Sequence, residues 1–312
     1  MDEKRHRILV AVDGSNQSLD AVGYIGRMLR PETSEIVLFN VMRDITDAFR
    51  DVGADPTFHS RIADISQWQL TQENMLKKFM DEGLKVLTDN GFHQDSVEIK
   101  IFKSQVGVAR DIIEESKKGY SAVVVGRRGL SRLMDIMMGS VAYKLVERLA
   151  NVPVWVVGGA PTSSKVLVAV DHSQGAMRAV DHVGDILGGR GKEITLLNVL
   201  RTPSMFVPEL ETLSPDKQKE IFSLAKDDVE PVFNTAKGVL TESGFAEDQI
   251  TTNLITGVMS RAGTIVDEAR RGGYGTIVIG RRGISRVEEF FMGRVSNKVI
   301  SLAKEMAVWV VN

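Results

Sequence analysis

The sequence has few of the residues that build covalent and metal-based sites. Its 312 residues include no cysteine, which excludes disulfides, thiolate nucleophiles and cysteine-ligated zinc or iron–sulfur sites. The five histidines lack the HxH or HxxxH spacing of paired metal ligands, so we expect packing or surface roles for all of them (His6, His59, His93, His172 and His182). A chain without cysteine fits a reducing compartment, and we expect a cytoplasmic protein.

Long apolar runs and an excess of one charge are also missing. No run approaches the roughly 18 apolar residues that a membrane span needs, and residues 1–7 are too charged to open a secretory signal. The net charge of -2 lacks the basic excess of nucleic-acid-binding proteins. We therefore expect neither a membrane nor a nucleic acid as a partner.

The sequence does contain an internal repeat. Four blocks recur in the same order: ILVAVD (8–13) as VLVAVD (166–171), IVLFNV (36–41) as ITLLNV (194–199), VVVGRRG (123–129) as IVIGRRG (277–283), and VWVV (154–157) as VWVV (308–311). Matched blocks in matched order indicate a duplication. Two domains are predicted, residues 1–159 and 164–312, joined by a short stretch of small, turn-forming residues.

Within each half, short apolar runs alternate with amphipathic stretches. Runs such as 8–12 and 122–125 are apolar at every position, which is typical of strands covered by helices on both faces. Strands are predicted near residues 7–12, 35–41, 97–102, 122–126 and 153–157, and near 165–170, 193–199, 251–255, 276–280 and 307–311. The alternation predicts the α/β class, with two tandem five-stranded parallel sheets of the doubly wound, Rossmann-like type.

Two further expectations concern the edges of these sheets. The last strand of each half would leave an unpaired edge, so pairing of the two edges predicts an internal pseudo-dimer. Whole chains could in addition form a homodimer. Residues 44–67, matched by 201–216, are predicted to form a long polar loop over the sheet edge.

Residues suited to anion binding lie where the winding of the first half reverses, at the carboxyl ends of its first and fourth strands. The first strand ends in Asp13-Gly14-Ser15, and the fourth leads into Gly126-Arg127-Arg128-Gly129; nine residues later, Gly139-Ser140 opens a helix. Glycines permit close backbone approach and positive φ, and a helix start presents unpaired amides to an anion. Arg127 and Arg128 could neutralise phosphate from the rim. The alternative is that the glycines only shape a turn and Ser140 caps the helix.

The G-x-x-G pattern, followed after nine residues by G-S/T and preceded by a strand ending in aspartate, resembles the universal stress protein family. The resemblance covers nearly the whole chain as a tandem member. It implies a stress-response protein that binds ATP or another adenine nucleotide, with Mg²⁺ as a potential companion ion. It also implies that base and ribose are held by Asp13 and by the backbone of Val41. Ribose and phosphates would be held by Gly126, Gly129, Gly139 and Ser140, with Arg127 and Val141 beside them.

The second half matches this pattern less well. Its counterparts are Asp171, Val199, Gly280, Gly283 and Gly293, but Gly293 is followed by Arg294 instead of Ser or Thr. The Arg294 guanidinium could either pair with phosphate or fold across the pocket in place of nucleotide. We expect the second site to be weaker or empty.

Three functions remain open at this point. The leading hypothesis is a binding protein whose nucleotide occupancy alters its conformation or partner surface. The alternative is a slow ATPase or nucleotidyl-transfer enzyme, although the sequence offers no evident general base beside the phosphates and no Walker-type lysine. A nucleotide-free scaffold is disfavoured by the intact glycines of the first half.

Overall fold

A computed structural model describes residues 5–42, 56–129, 138–188, 191–201, 214–282 and 292–312, with backbone alone for 56–69, 215, 218, 219, 221 and 222. The first half contains β1 (His6–Ala11), α1 (Asn16–Met28), β2 (Ser34–Met42), α2 (Pro56–Asp89), β3 (Val97–Lys103), α3 (Val108–Ser116), β4 (Ala122–Gly126), α4 (Ser140–Arg148) and β5 (Val154–Val157). The second half contains β6 (Val166–Ala169), α5 (Gln174–Leu187), β7 (Ile194–Arg201), α6 (Pro215–Asp227), α7 (Glu230–Glu242), β8 (Ile250–Val258), α8 (Arg261–Arg271), β9 (Thr276–Gly280), α9 (Arg294–Leu302) and β10 (Ala307–Val311).

The strands form one ten-stranded sheet in the order β3-β2-β1-β4-β5-β10-β9-β6-β7-β8. All pairings within a half are parallel, and the two halves join through β5 and β10, which pair antiparallel with Trp155 opposite Trp309. The predicted doubly wound fold and the internal pseudo-dimer are therefore confirmed. Each half reverses its winding at its first strand, between β1 and β4 or between β6 and β9.

The strands separate two layers of core. Ile8 and Val10 point into the layer that contains residues of α1, α2, α5 and α7. Leu9 and Ala11 point into the opposite layer, with residues of α3, α4, α8 and α9. Because successive strand residues face opposite sides and both sides are covered, every position of such a strand must be apolar.

The predicted long loop is wrong for the part of it that the structure describes. Residues 56–67 belong to α2, and residues 44–55 lie outside the described residues. In the matching stretch of the second half, residue 201 ends β7, residues 215 and 216 begin α6, and residues 202–213 lie outside the described residues.

Among the α2 side chains that the structure describes, Met80 and Leu87 are buried in the core. Phe58, Ile62 and Ile65 follow helical spacing within the stretch predicted as a loop, so the sequence carried a helix signal that the loop prediction did not use.

A stacked tryptophan pair lies at the centre of the junction between the halves. Trp155 and Trp309 are fully buried, with ring centroids 3.8 Å apart and planes inclined by 2°. The Trp155 indole N–H donates to Nε2 of His182 over 3.1 Å, and the Trp309 N–H donates to the Tyr24 hydroxyl over 2.9 Å. His182 and Tyr24 occupy equivalent positions in α5 and α1, so each hydrogen bond crosses from one half to the other.

This junction predicts a loss of stability at acidic pH. Burial lowers the pKa of His182 to about 4, with Asp185 raising it and His6 lowering it further. In the unfolded chain the histidine has a pKa of about 6.5. Below that pH the unfolded chain therefore binds a proton at His182, whereas the folded chain does not until the pH approaches 4. The contribution of neutral His182 to the free energy of unfolding is complete above pH 6.5 and is lost as the pH falls toward 4.

We expect the free energy of unfolding to fall by about 2 kcal/mol more between pH 7 and pH 5 in the unmodified protein than in His182→Gln. Glutamine cannot titrate, yet its amide oxygen can still accept from the Trp155 indole. Urea denaturation of both proteins at the two pH values measures the difference. Equal losses would show that His182 is not the titrating group.

Candidate functional site

A cavity of about 580 Å³ opens at the carboxyl ends of β1, β2 and β4, where the winding of the first half reverses. This volume lies within the range of small-molecule sites. The cavity is lined by most of the residues predicted for the site: Asp13, Val41, Gly126, Gly129, Gly139, Ser140 and Val141. Phe39, Val108 and Ile112 supply an apolar part of its wall. The predicted site residues of the first half are thus brought together, with the exception of Arg127.

The Asp13 carboxylate is fixed by the turn that follows β1. Its Oδ1 accepts hydrogen bonds from the Ser15 hydroxyl over 2.6 Å and from the Ser15 amide over 3.1 Å. Gly14, between them, has φ of 85°, a conformation that favours glycine. Ser15 also caps α1 by accepting from the Ser18 amide. One short turn therefore ends the strand, starts the helix and orients the carboxylate at the cavity.

The end of β2 is tied to the end of β1 by a buried asparagine. The Asn40 side-chain amide donates to the Val12 carbonyl over 2.8 Å, and Asn198 donates to Val170 over the same distance in the second half. This bond fixes the backbone at Val41, the residue predicted to contact the base. Sequence reasoning did not assign a role to either asparagine, although a polar residue repeated inside an apolar block was a signal.

Space requires glycine at two of the three cavity positions, Gly126 and Gly129. None of Gly126, Gly129 and Gly139 has positive φ, so the backbone freedom that glycine permits is not used at them. A Cβ on Gly126 would lie 3.0 Å from the Gln17 carbonyl oxygen, and one on Gly129 would overlap the Asp13 carboxylate. At Gly139 the nearest atom, the Arg127 carbonyl oxygen, is 3.4 Å away, which is an ordinary contact.

The start of α4 has no side-chain cap. Gly139 is the N-cap and Ser140 the first helical residue, with no side-chain hydrogen bond to cap them. Ser140 is therefore not the helix cap that the alternative interpretation required. The first amides of the helix are left for water or a ligand, at the positive end of the helix dipole.

Arg127 does not reach the cavity, which corrects its predicted place beside the phosphates. Its side chain is buried and donates to the carbonyls of Ser301, over 3.2 Å, and Ala303, over 3.4 Å, at the end of α9 in the other half. Arg281 makes the equivalent contacts with carbonyls at the end of α4. Both arginines thus bind the negative helix ends across the junction, while Arg128 lines the cavity.

The second half repeats the frame of the site. The Ser173 amide donates to Asp171 over 2.9 Å, and Gly293 caps α9 and donates to the carbonyl of Arg281. Gly280 ends β9, Arg294 is exposed at the first position of α9, and Gly283 lies outside the described residues. Sequence reasoning missed Arg261, whose side chain lies at the carbonyl of Val199.

The described residues form neither a membrane-spanning helix nor a cluster of metal ligands. None of their helices has the length and apolarity needed to cross a bilayer. They also contain no group of three or more His, Asp or Glu side chains placed to hold a metal ion.

Fold and cavity together define a tandem α/β protein of two doubly wound domains, the first of which has a cavity at its switch point. The sequence profile of the universal stress protein family matches residues 4–158 and again residues 162–312. The chain therefore belongs to the universal stress protein family, with two copies of the family domain.

Individual relatives show the same relationship. Universal stress protein YxiE of Bacillus subtilis is 28% identical over 155 residues, covering 49% of this chain and 98% of that protein. A universal stress protein of Mycolicibacterium smegmatis is 29% identical over 199 residues, covering 62% of this chain and 63% of that protein. The crystal structure of a universal stress protein from Archaeoglobus fulgidus, at 18% identity, covers 98% of each chain with a TM-score of 0.60; this last likeness concerns the fold.

Proposed function

We propose that the first half binds ATP in its switch-point cavity, and that occupancy changes the conformation or partner surface of the protein in a cytoplasmic stress response. One observation carries the proposal: an apolar wall, a fixed carboxylate and an uncapped helix start line the same cavity of about 580 Å³. An adenine nucleotide needs these three environments for its base, ribose and phosphates.

Each environment would act through a separate force. The base would lie against Phe39 and Ile112 and bond to the backbone at Val41, because burial of an aromatic ring and a pair of backbone bonds give both affinity and selectivity. The Asp13 carboxylate would accept from a ribose hydroxyl. The phosphates would lie at the α4 start, with Arg128 in reach as a counter-charge.

Mg²⁺, if it accompanies ATP, would be held chiefly by phosphate oxygens and water. Magnesium commonly keeps several waters and takes only one or two protein carboxylates at nucleotide sites. Asp13 is the sole carboxylate among the described residues that line the cavity, and Ser15 already occupies one of its oxygens.

The test is to purify the full chain, denature it and identify the nucleotide that is released. We expect ATP, released unchanged, and calorimetric binding of ATP to the nucleotide-free protein. Release of ADP after incubation with ATP, at a steady rate, would favour the slow-ATPase alternative. Failure to carry nucleotide and failure to bind ATP in the titration would together refute the proposal.

A further inference from the structure

One of the differences between the two halves is at a residue that faces the site. Val108 is the first residue of α3 and lines the first-half cavity. The first residue of α8, at the equivalent position, is Arg261. Its Nε–H donates to the backbone carbonyl of Val199 over 3.2 Å, and Val199 is the counterpart of Val41 in the repeat. The arginine therefore bonds to the backbone that would contact the base.

Electrostatics place the same side chain near the carboxylate of the site. The pKa of Arg261 is lowered, first by burial and then by the like charge of Arg201, while Asp171 raises it. Asp171 is the counterpart of Asp13, which we assign to the ribose. Arg261 thus bonds to the backbone of Val199 and interacts electrostatically with Asp171, and its planar guanidinium offers donors that can replace those of a base.

The remaining frame of the second site is retained. Asn198 ties β7 to β6 as Asn40 ties β2 to β1. Gly293 caps α9 without a side-chain hydrogen bond, as Gly139 caps α4. A Cβ on Gly280 would lie 2.5 Å from the backbone of Gly175, so close packing still requires glycine there. Within the described residues, the frame of the second site is therefore kept, and the side chain at the position of Val108 differs.

We propose that the second half contains a nucleotide site of the same design as the first. In this site the side chain of Arg261 occupies the position that the base would take. The inference rests on the proposed function of the first half. The weaker nucleotide binding expected of the second half is then due to Arg261 and not to Arg294, which is exposed at the start of α9. A full chain then holds one nucleotide, in the first half.

The experiment is a calorimetric titration of nucleotide-free full-length variants with ATP. We expect one site in the unmodified protein and two in Arg261→Val, the second within about tenfold of the first in affinity, about 1.4 kcal/mol. Arg294→Ser should keep one site, because Arg261 still occupies the second half. Val108→Arg should abolish the site in the first half, and Val108→Arg combined with Arg261→Val should bind one nucleotide in the second.

The outcomes separate this inference from the function on which it rests. Two sites in the unmodified protein, or one site in both the unmodified and the Arg261→Val protein, would overturn the role of Arg261. No binding by the unmodified protein but one site in Arg261→Val would overturn the assignment of ATP to the first half and support the role of Arg261. No binding by either protein would overturn both. Arg261→Ala, which suits a helix start and its interior, provides the same comparison if the valine variant does not fold.

Discussion

Trp309→Ala is expected to lower the free energy of unfolding by about 3–5 kcal/mol, the usual cost of removing a large buried aromatic side chain. Trp309 is fully buried and stacks on Trp155 at 3.8 Å. The change leaves a cavity where the two halves meet, removes the stacking contact and takes away the indole that donates to Tyr24. Chemical denaturation followed by far-ultraviolet circular dichroism measures the loss.

Two variants control for this effect. Tyr143→Ala removes an aromatic ring that is 50% exposed and should change stability by no more than about 0.5 kcal/mol. Trp309→Phe keeps a stacking ring but loses the hydrogen bond to Tyr24, so its cost should fall between the two. A Trp309→Ala protein as stable as Tyr143→Ala would show that the stacked pair does not hold the halves together.

The inner strands β1 and β4 were predictable because their environment imposes one simple rule. A strand covered on both faces needs an apolar residue at every position, and the runs at 8–12 and 122–125 meet that rule. The predicted bounds of β1 and β4 accordingly differ from the structure by no more than one residue. The joining of the halves followed from a second rule, that an exposed edge strand finds a partner.

The role of Arg127 could not be predicted in the same way, because it depends on distant partners. An arginine between the glycines of a phosphate motif looks like a phosphate ligand, and its actual acceptors, at Ser301 and Ala303, are more than 170 residues away along the chain. Contacts at that separation have no local signal. The start of α2 is different, because Phe58, Ile62 and Ile65 follow helical spacing that the sequence itself shows.

Arg261 was detectable in principle. The repeat aligns Val108 with Arg261, but only the blocks that matched best, the strands and the glycine motif, were compared between the halves. The informative difference lies just outside those blocks, at the start of α8. A duplicated site shows its divergence where the copies disagree, so the poorly matched positions around a motif can decide which copy binds.

Gly129→Val is expected to weaken ATP binding by the first half at least tenfold, about 1.4 kcal/mol. A Cβ at this position would overlap the Asp13 carboxylate, which is already held in place by two hydrogen bonds from Ser15. The added side chain must therefore displace the group that we assign to the ribose, and its methyl groups take up room beside it. Backbone strain is not the cause, since Gly129 has no positive φ.

The comparison that isolates this effect uses Gly238→Val and Ser140→Ala. Gly238 lies in α7, where an added Cβ meets open space, so its valine variant should bind ATP as the unmodified protein does. Ser140→Ala keeps the helix amides and loses one hydroxyl donor, which should cost about 1 kcal/mol or less. Calorimetry on the folded variants ranks the three. If Gly129→Val binds ATP as tightly as Gly238→Val, then neither the carboxylate of Asp13 nor the space beside it takes part in holding the nucleotide.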